Sequence, residues 1–317
     1  MVKSTQKSLI SVIIPCYNEQ AVIHQCHERV IKALKDLSDY DYEVIYIDDG
    51  SSDNTYKELQ KFREQDKAVK ILKLSRNFGK EAALTAGIDH CKGDAAVILD
   101  ADLQDPPELI PDLIKVWKDE DADVVYGQRT SREGESWFKK FTASAFYKVI
   151  NFISGKVDIP YNAGDFRLMN RRSIDALIQL REQHRFMKGL FSWIGYKQVA
   201  MPYQRHARPA GRTKWDYISL WNLSLEGITG FSMTPLKIAT VFGLLISFMA
   251  FVYGSYIVLK TLMFGTDVPG YPSLMVAITF FSGIQLLSIG ILGEYVGRIF
   301  NETKHRPVYF LEAKLDD

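Results

Sequence analysis

Asp100, Asp102 and Gln104 occupy alternate positions directly after the apolar run Val97-Ile98-Leu99, with Asp105 close behind and Pro106-Pro107 following. The apolar run predicts a strand buried on both faces, and the prolines forbid its continuation. Side chains alternate along extended backbone, so both carboxylates and the amide oxygen can point one way at the strand's C-terminal end. Hard oxygen donors of this kind suit Mg²⁺ or Mn²⁺, ions that keep water and bind substrate phosphates as well. An acidic turn that merely caps a helix starting near Pro107 would present the same residues.

Three other apolar runs end in polar groups. Leu9 to Ile14 stops at Pro15, with Tyr17, Asn18 and Glu19 next; Tyr42 to Ile47 runs into Asp48, Asp49, Gly50 and Asp53; Val69 to Leu74 runs into Arg76, Asn77, Gly79 and Lys80. Helical spacing fills the gaps, over 21–37, from an N-cap at Ser52 or Asp53 to Glu64, and over 81–90. This alternation predicts an α/β fold with a mostly parallel central sheet. In such sheets ligands bind outside the carboxyl ends of the strands, and here every such end carries polar chemistry. A single acidic turn could be structural, but four polar ends converging on one rim make a site. Neither a GxGxxG nor a GxxxxGK[ST] pattern occurs, so phosphates would be held by a divalent ion and by Arg or Lys. That arrangement suits a nucleotide diphosphate whose leaving charge a metal neutralises.

The 317 residues allow one large domain with an appendage, or two domains. Lys and Arg number 39 against 38 Asp and Glu, so there is no basic field for nucleic acid. Three cysteines, Cys16, Cys26 and Cys91, form no CxxC pair, which argues against a disulfide framework or thiolate zinc site. His24, Cys26 and His27 cluster in sequence but spread over more than one face of their predicted helix. The first eight residues lack an apolar core, so no signal peptide is expected and the first domain is expected in the cytoplasm, where free thiols persist.

Asp123 to Gly127 predicts a short strand followed by Gln128, Arg129 and Arg132. Residues 137–153 form a basic, aromatic-rich amphipathic pattern that suits a membrane surface or packing on the sheet equally well. Around Asn162 to Arg171, Asp165 falls in a Gly-containing turn before a helix near Ser173, as a site carboxylate, a cap, or a partner for Arg167. Arg205, Arg208, Arg212 and Lys214 lie among Pro209 and Gly211, in a loop that is either solvated or a clamp on phosphates.

Then the composition changes. Ile238–Leu259 and Ser273–Gly293 are uncharged over about 22 and about 21 residues, each enough to cross a hydrocarbon core. Lys237 before the first span and Arg298, Lys304 and Arg306 after the second place both flanks in the cytoplasm. Tyr253, Tyr256 and Tyr271 suit an outer interface, and Glu294 and Arg298 are spaced to pair. The expected organisation is a catalytic domain over 1–232, with surface helices near 137–153 and 217–232, a two-helix membrane domain over 233–298, and a cytoplasmic tail over 299–317.

Ile14-Pro15-Cys16-Tyr17-Asn18-Glu19, Asp48-Asp49-Gly50-Ser51-Ser52-Asp53 and Leu99-Asp100-Ala101-Asp102-Leu103-Gln104-Asp105-Pro106-Pro107-Glu108 together resemble the family 2 glycosyltransferases, which have the GT-A nucleotide-sugar fold. The last motif, the two spans, Gly293 to Arg298 and Arg306 to Tyr309 resemble the branch of dolichyl-phosphate mannose synthase and bacterial bactoprenol glucosyltransferases. The processive Gln-x-x-Arg-Trp motif has no match; Gln183-His184-Arg185-Phe186 is the nearest stretch.

The resemblance implies inverting, metal-dependent transfer of a sugar, by default glucose from UDP-glucose, to a polyprenyl phosphate such as undecaprenyl phosphate. This would occur at the cytoplasmic face of the inner membrane, in cell-envelope and lipopolysaccharide glycan modification. It implies a nucleotide-sugar site of Pro15, Tyr17, Asn18, Glu19, Asp48, Asp49, Lys80, Asp100 and Ala101. Asp100, Asp102 and Gln104 would hold Mg²⁺ or Mn²⁺, Arg129, Arg132, Arg208, Arg212 and Lys214 would hold phosphates and acceptor, and Asp102 and Asp165 would be catalytic. The implied partners are the nucleotide-diphosphate sugar, the polyprenyl phosphate, the membrane, further copies of the chain and a small flippase-type membrane protein.

Overall fold

Ile10, Val12, Ile13 and Ile14 are all fully buried, as a strand covered on both faces requires. They belong to β1 (Ser8–Cys16), at the centre of an eight-stranded sheet in a computed structural model that describes residues 7–130, 159–205, 229–230, 232–265 and 270–316. The expected surface helix over 137–153, nearly all of that over 217–232, and Arg132, Arg208, Arg212 and Lys214 lie outside the described residues.

β2 (Tyr40–Asp48), β3 (Val69–Leu74) and β4 (Ala95–Ile98) run parallel with β1. β5 (Val124–Arg129), β6 (Ala163–Asn170), β7 (Gln198–Tyr203) and β8 (Leu311–Leu315) complete the order β7-β5-β6-β4-β1-β2-β3-β8. β7 is parallel to β5, whereas β6 and β8 are antiparallel to their neighbours. The mostly parallel α/β expectation therefore holds. The turn expected around Asp165 does not form: the residue lies within β6, where Phe166, Leu168 and Met169 are fully buried and supply the strand's apolar content. The following helix is capped by Asn170, whose side chain accepts the Ser173 N–H at 2.9 Å, so Asp165 is not its cap.

The helices are α1 (Ile23–Lys35), α2 (Thr55–Gln65), α3 (Lys80–His90), α4 (Ile110–Asp119), α5 (Arg171–Gln179) and α6 (Met187–Trp193). α2 starts later than an N-cap at Ser52 or Asp53 would give, though Asp53 accepts the Thr55 N–H at 2.9 Å. His24 pairs with Glu58 at 2.6 Å, while His27 meets the Tyr46 hydroxyl at 3.0 Å and stacks on Phe62. These contacts give both imidazoles structural partners.

The chain divides into a sheet unit, Met1–Gly227 with Arg306–Asp317, and a second unit, Ile228–His305. The second unit holds α7 (Thr234–Phe264) and α8 (Tyr271–Thr303), both long and apolar enough to cross a membrane. Its apolar side chains, Leu244, Phe248, Leu286 and Ile289 among them, face outward. The expected Glu294–Arg298 pair forms at 3.0 Å, and the Tyr295 hydroxyl donates to the Ser232 carbonyl at 2.6 Å.

α3 needs a glycine to reach the sheet. A Cβ on Gly87 would lie 2.3 Å from Ile13 Cγ2 and 2.9 Å from Ile47 Cδ1, both on stiff β-branched side chains. Gly87→Leu is expected to destabilise the sheet unit by about 1–3 kcal/mol through overpacking. Thermal unfolding of the detergent-solubilised chain checks this, and an unchanged transition would contradict the tight approach.

Candidate active site

β4 ends at Ile98, earlier than the extended reading of Asp100, Asp102 and Gln104 requires. Leu103 takes φ +59°, and the Gln104 N–H donates to Asp102 Oδ1 at 3.1 Å. A short acidic side chain that bonds backbone two residues on favours a turn over continued strand, so strict alternation fails here. Asp102 is buried while Asp100 stays partly open. The acidic turn is fastened from outside by Arg29 of α1, whose Nε and Nη2 bind both Glu108 oxygens at 2.7 Å.

Strand register explains the centre of the site. Ile98 of β4 stands opposite Arg167 of antiparallel β6, so two residues further along one strand and two back along the other bring Asp100 level with Asp165. Lys80, the first residue of α3, reaches both: its Nζ lies 2.6 Å from Asp100 Oδ1 and 2.6 Å from Asp165 Oδ2. One ammonium shared by two carboxylates cannot satisfy them equally. Burial alone would raise the Asp165 carboxyl, but the charges of Lys80 and Lys188 outweigh it and hold Asp165 well below the usual carboxylate range. Asp100 is raised instead, chiefly by burial, with the neighbouring Asp165 charge adding to that against Lys80. Burial works against the Lys80 ammonium, yet the two carboxylates more than compensate and its pKa rises.

The loops after β1 and β2 are joined to each other. Asn18, at φ +53°, accepts the Ser52 N–H at 2.8 Å, while its own N–H donates to Ser51 Oγ at 3.0 Å. The Glu19 N–H donates to Thr55 Oγ1 at 2.9 Å. Asn18 therefore shapes the rim through its side chain. Asp49 does the same for the next loop, accepting the Phe78 N–H at 2.7 Å and the Gly79 N–H at 3.0 Å. Gly50, at φ +67°, allows the close approach, since a Cβ there would lie 2.6 Å from Arg76 and Asn77 backbone. Asp48 is fully buried, receives the Ser51 N–H at 3.3 Å, and has a raised pKa caused first by burial. Pro15, Tyr17 and Ala101 lie on the same strand ends.

Arg129 leads into a polar cluster that motif reading did not anticipate. The Tyr203 hydroxyl donates to the buried Asp105 carboxylate and receives Arg129 Nε at 3.3 Å, and Arg205 Nε lies 3.7 Å from Asp105. A Cβ on Gly164 would fall 2.6 Å from Arg129 Nη2, so the guanidinium lies over the residue beside Asp165. Glu81 was also missed. It accepts the Met187 N–H at 3.3 Å, and burial, then the Asp165 charge, pushes its carboxyl up to about 8. Tyr203 and Asp105 are 98 residues apart and Met187 and Glu81 are 106 apart, separations that no local motif reports. The resemblance implies a nucleotide-sugar role for Lys80 and carries no sign that it bridges two acids.

Among the described residues, no group of three or more His, Cys, Asp or Glu gathers as a metal-holding cluster. The acidic turn supplies two carboxylates, of which Asp100 is engaged by Lys80 and Asp102 is turned inward. Their hard oxygen chemistry fits a divalent cation that takes its remaining ligands from phosphate and water.

Residues 11–178 match the family described as Glycosyl transferase family 2, and residues 234–299 match the GtrB C-terminal hairpin. An uncharacterized glycosyltransferase of Synechocystis sp. (strain ATCC 27184 / PCC 6803 / Kazusa) is 49% identical over 302 residues, covering 95% of this chain and 94% of its own. The bactoprenol glucosyl transferase of Shigella phage SfV is 44% identical over 303 residues, covering 96% of this chain and 98% of its own. Among solved structures, glucosyl-3-phosphoglycerate synthase from Mycobacterium tuberculosis, in complex with Mn²⁺, UDP and glucosyl-3-phosphoglycerate, is 21% identical with a TM-score of 0.47, covering 70% of this chain and 78% of that one.

Glu81 gives the site a pH signature. Its carboxyl is raised on folding, so its contribution to stability is complete below its ordinary pKa of about 4.3 and is lost as pH climbs towards 8. Glu81→Gln, which stays neutral, is expected to flatten the fall in melting temperature between pH 5 and 8. Parallel curves for the variant and the parent would contradict the buried, protonated acid.

Proposed function

This chain belongs to glycosyl transferase family 2, and from that membership we propose that it moves glucose from a nucleotide-diphosphate glucose to a polyprenyl phosphate. The product is a lipid-linked sugar made at the cytoplasmic face of the inner membrane for envelope glycan modification. The acceptor and sugar follow the name of the SfV relative and the matched hairpin. One observation carries the membrane assignment: the chain leaves the sheet unit, forms two apolar helices, and returns to the same sheet as β8. A strand hydrogen-bonded into the sheet supports a hairpin whose two ends share one side of a bilayer. The positive-inside bias of Lys237, Arg298, Lys304 and Arg306 supports the cytoplasm as that side. Copies of the chain and a flippase-type protein are the partners proposed for the hairpin.

In the proposed reaction a phosphate oxygen of the lipid attacks the anomeric carbon in line. The bond from that carbon to the nucleotide diphosphate breaks, its electron pair leaves with the diphosphate, and configuration inverts. Asn18 and Asp49 hold the loops that form the base and ribose end of the rim. Lys80 places a positive charge between Asp100 and Asp165, where the phosphates must approach two carboxylates. Arg129, held by Tyr203, adds a second cation beside Asp165. A divalent ion would be held by Asp102, with Asp100 and Gln104, and when bound supplies Lewis-acid neutralisation of the departing diphosphate.

A phosphate monoester is mostly dianionic at neutral pH, its second pKa being about 6, so attack requires no strong base. Asp165, held ionised by Lys80, is a poor proton acceptor. It acts by keeping Lys80 and the acceptor oriented.

The test uses purified full-length protein in detergent with Mn²⁺, undecaprenyl phosphate and a panel of labelled nucleotide sugars, with and without EDTA. Chelator-sensitive label in the organic phase, from UDP-glucose alone, is the expected result. Label that never enters lipid despite confirmed donor binding would overturn the acceptor. Asp102→Asn is expected to reduce transfer by about 10²-fold or more, the scale of losing a transition-state electrostatic contact. Near-normal turnover of that variant across metal concentrations would refute the metal assignment.

A further inference from the structure

The segment that follows the hairpin reaches α3 and the loop before it. Beyond His305 the chain returns to β3, where the Phe310 carbonyl accepts the Ser75 N–H at 2.9 Å and Leu311–Leu315 pairs in antiparallel register. The two aromatic residues before this strand address opposite ends of α3. The Tyr309 hydroxyl donates to Asp89 Oδ2 at 2.9 Å, in the last turn of α3, where Arg181 meets the same oxygen at 2.8 Å. The Phe310 ring lies 6.4 Å from Phe78, two residues before Lys80, with an interplanar angle of 50°.

The start of α3 needs such support. Its N-cap is Gly79, at φ +95°, with no side-chain capping bond and nothing within 4 Å of where a Cβ would stand. Ser75, Arg76 and Asn77 before it are exposed. A glycine hinge at the edge of an exposed loop does not fix the helix by itself. Asp49 grips the loop from the sheet side through the Phe78 and Gly79 N–H groups, and the half-exposed Phe310 ring lies tilted beside the Phe78 ring. Arg76 lies 4.0 Å over that same ring.

We propose that Tyr309 and Phe310 are positioning residues: the C-terminal segment clasps α3 at both ends and thereby holds Lys80 against Asp100 and Asp165. This role rests on Lys80 acting in sugar transfer, as proposed above. Activity then depends on the residues beyond the hairpin as well as on those before it.

The test uses the full-length chain in detergent, with Phe310→Ala, Phe310→Tyr and Tyr309→Phe. Amide exchange at residues 78–80 is expected to rise about tenfold in Phe310→Ala while β1 stays protected, as for a local opening. Turnover should fall about five- to tenfold with nucleotide-sugar KM within about twofold, since a misplaced group costs rate more than binding. Phe310→Tyr should restore both, and Tyr309→Phe should loosen the far end of α3 first. Unchanged exchange at 78–80 would overturn the clasp, whatever the enzyme's substrate proves to be. Raised exchange throughout β1 would reduce the segment to a general stabiliser and overturn it too. Faster exchange at 78–80 with undiminished turnover would overturn the link to Lys80.

Discussion

A single lysine ammonium shared by two partly buried carboxylates governs this site. Lys80 can meet Asp100 and Asp165 together only because β6 is antiparallel to β4 in a register that sets the two acids side by side. It can do so only while α3 starts where it does, which requires Gly87 to let the helix onto Ile13 and Ile47 and Asp49 to bind the loop before it. An ion pair of this kind is costly to desolvate. Here it divides two chemically identical groups: Asp165 is held as an anion, and Asp100 is left more easily protonated.

Much of this arrangement was legible in the sequence. The strands β1 to β4 are apolar runs that the sequence ends near Pro15, Asp48, Ser75 and Asp100; β1 continues through Pro15 to Cys16 and β4 stops at Ile98, yet a parallel sheet still puts all four ends on one rim. The hairpin was legible from the length of its uncharged runs. The placement of Asp165 was not. Ala163–Asn170 contains Gly164 and Asp165 and resembles a turn, and only its antiparallel pairing between β4 and β5 makes it a central strand. Register is a long-range property, so the Lys80–Asp165 pair, 85 residues apart, leaves no local trace. The acidic turn misled in a different way. Strand alternation was extended past Leu99, where Asp102 bonds the backbone of Gln104 and Leu103 turns left-handed.

The tail shows a signal that was present and unused. Leu311, Ala313 and Leu315 alternate with Glu312 and Lys314, the period of a half-buried strand, but five residues after a long apolar helix do not announce a partner. With β8 paired to β3 on the sheet edge, the residues after the hairpin belong to the same folded unit as those before it. The matched families divide the chain in the same way, one over residues 11–178 and the hairpin family over 234–299.

The chemical claim that most depends on the structure is that Asp165 orients and does not accept a proton. The direct measurement is the pH dependence of acceptor-saturated turnover, from about pH 5 to 8.5, for the parent and Asp165→Asn. If the acceptor phosphate supplies its own charge, both profiles share one ascending limb near its second pKa of about 6, and the variant is only lower. If the limb vanishes in Asp165→Asn, the titrating group is Asp165 itself, and the account of Lys80 as the residue that keeps it ionised is wrong.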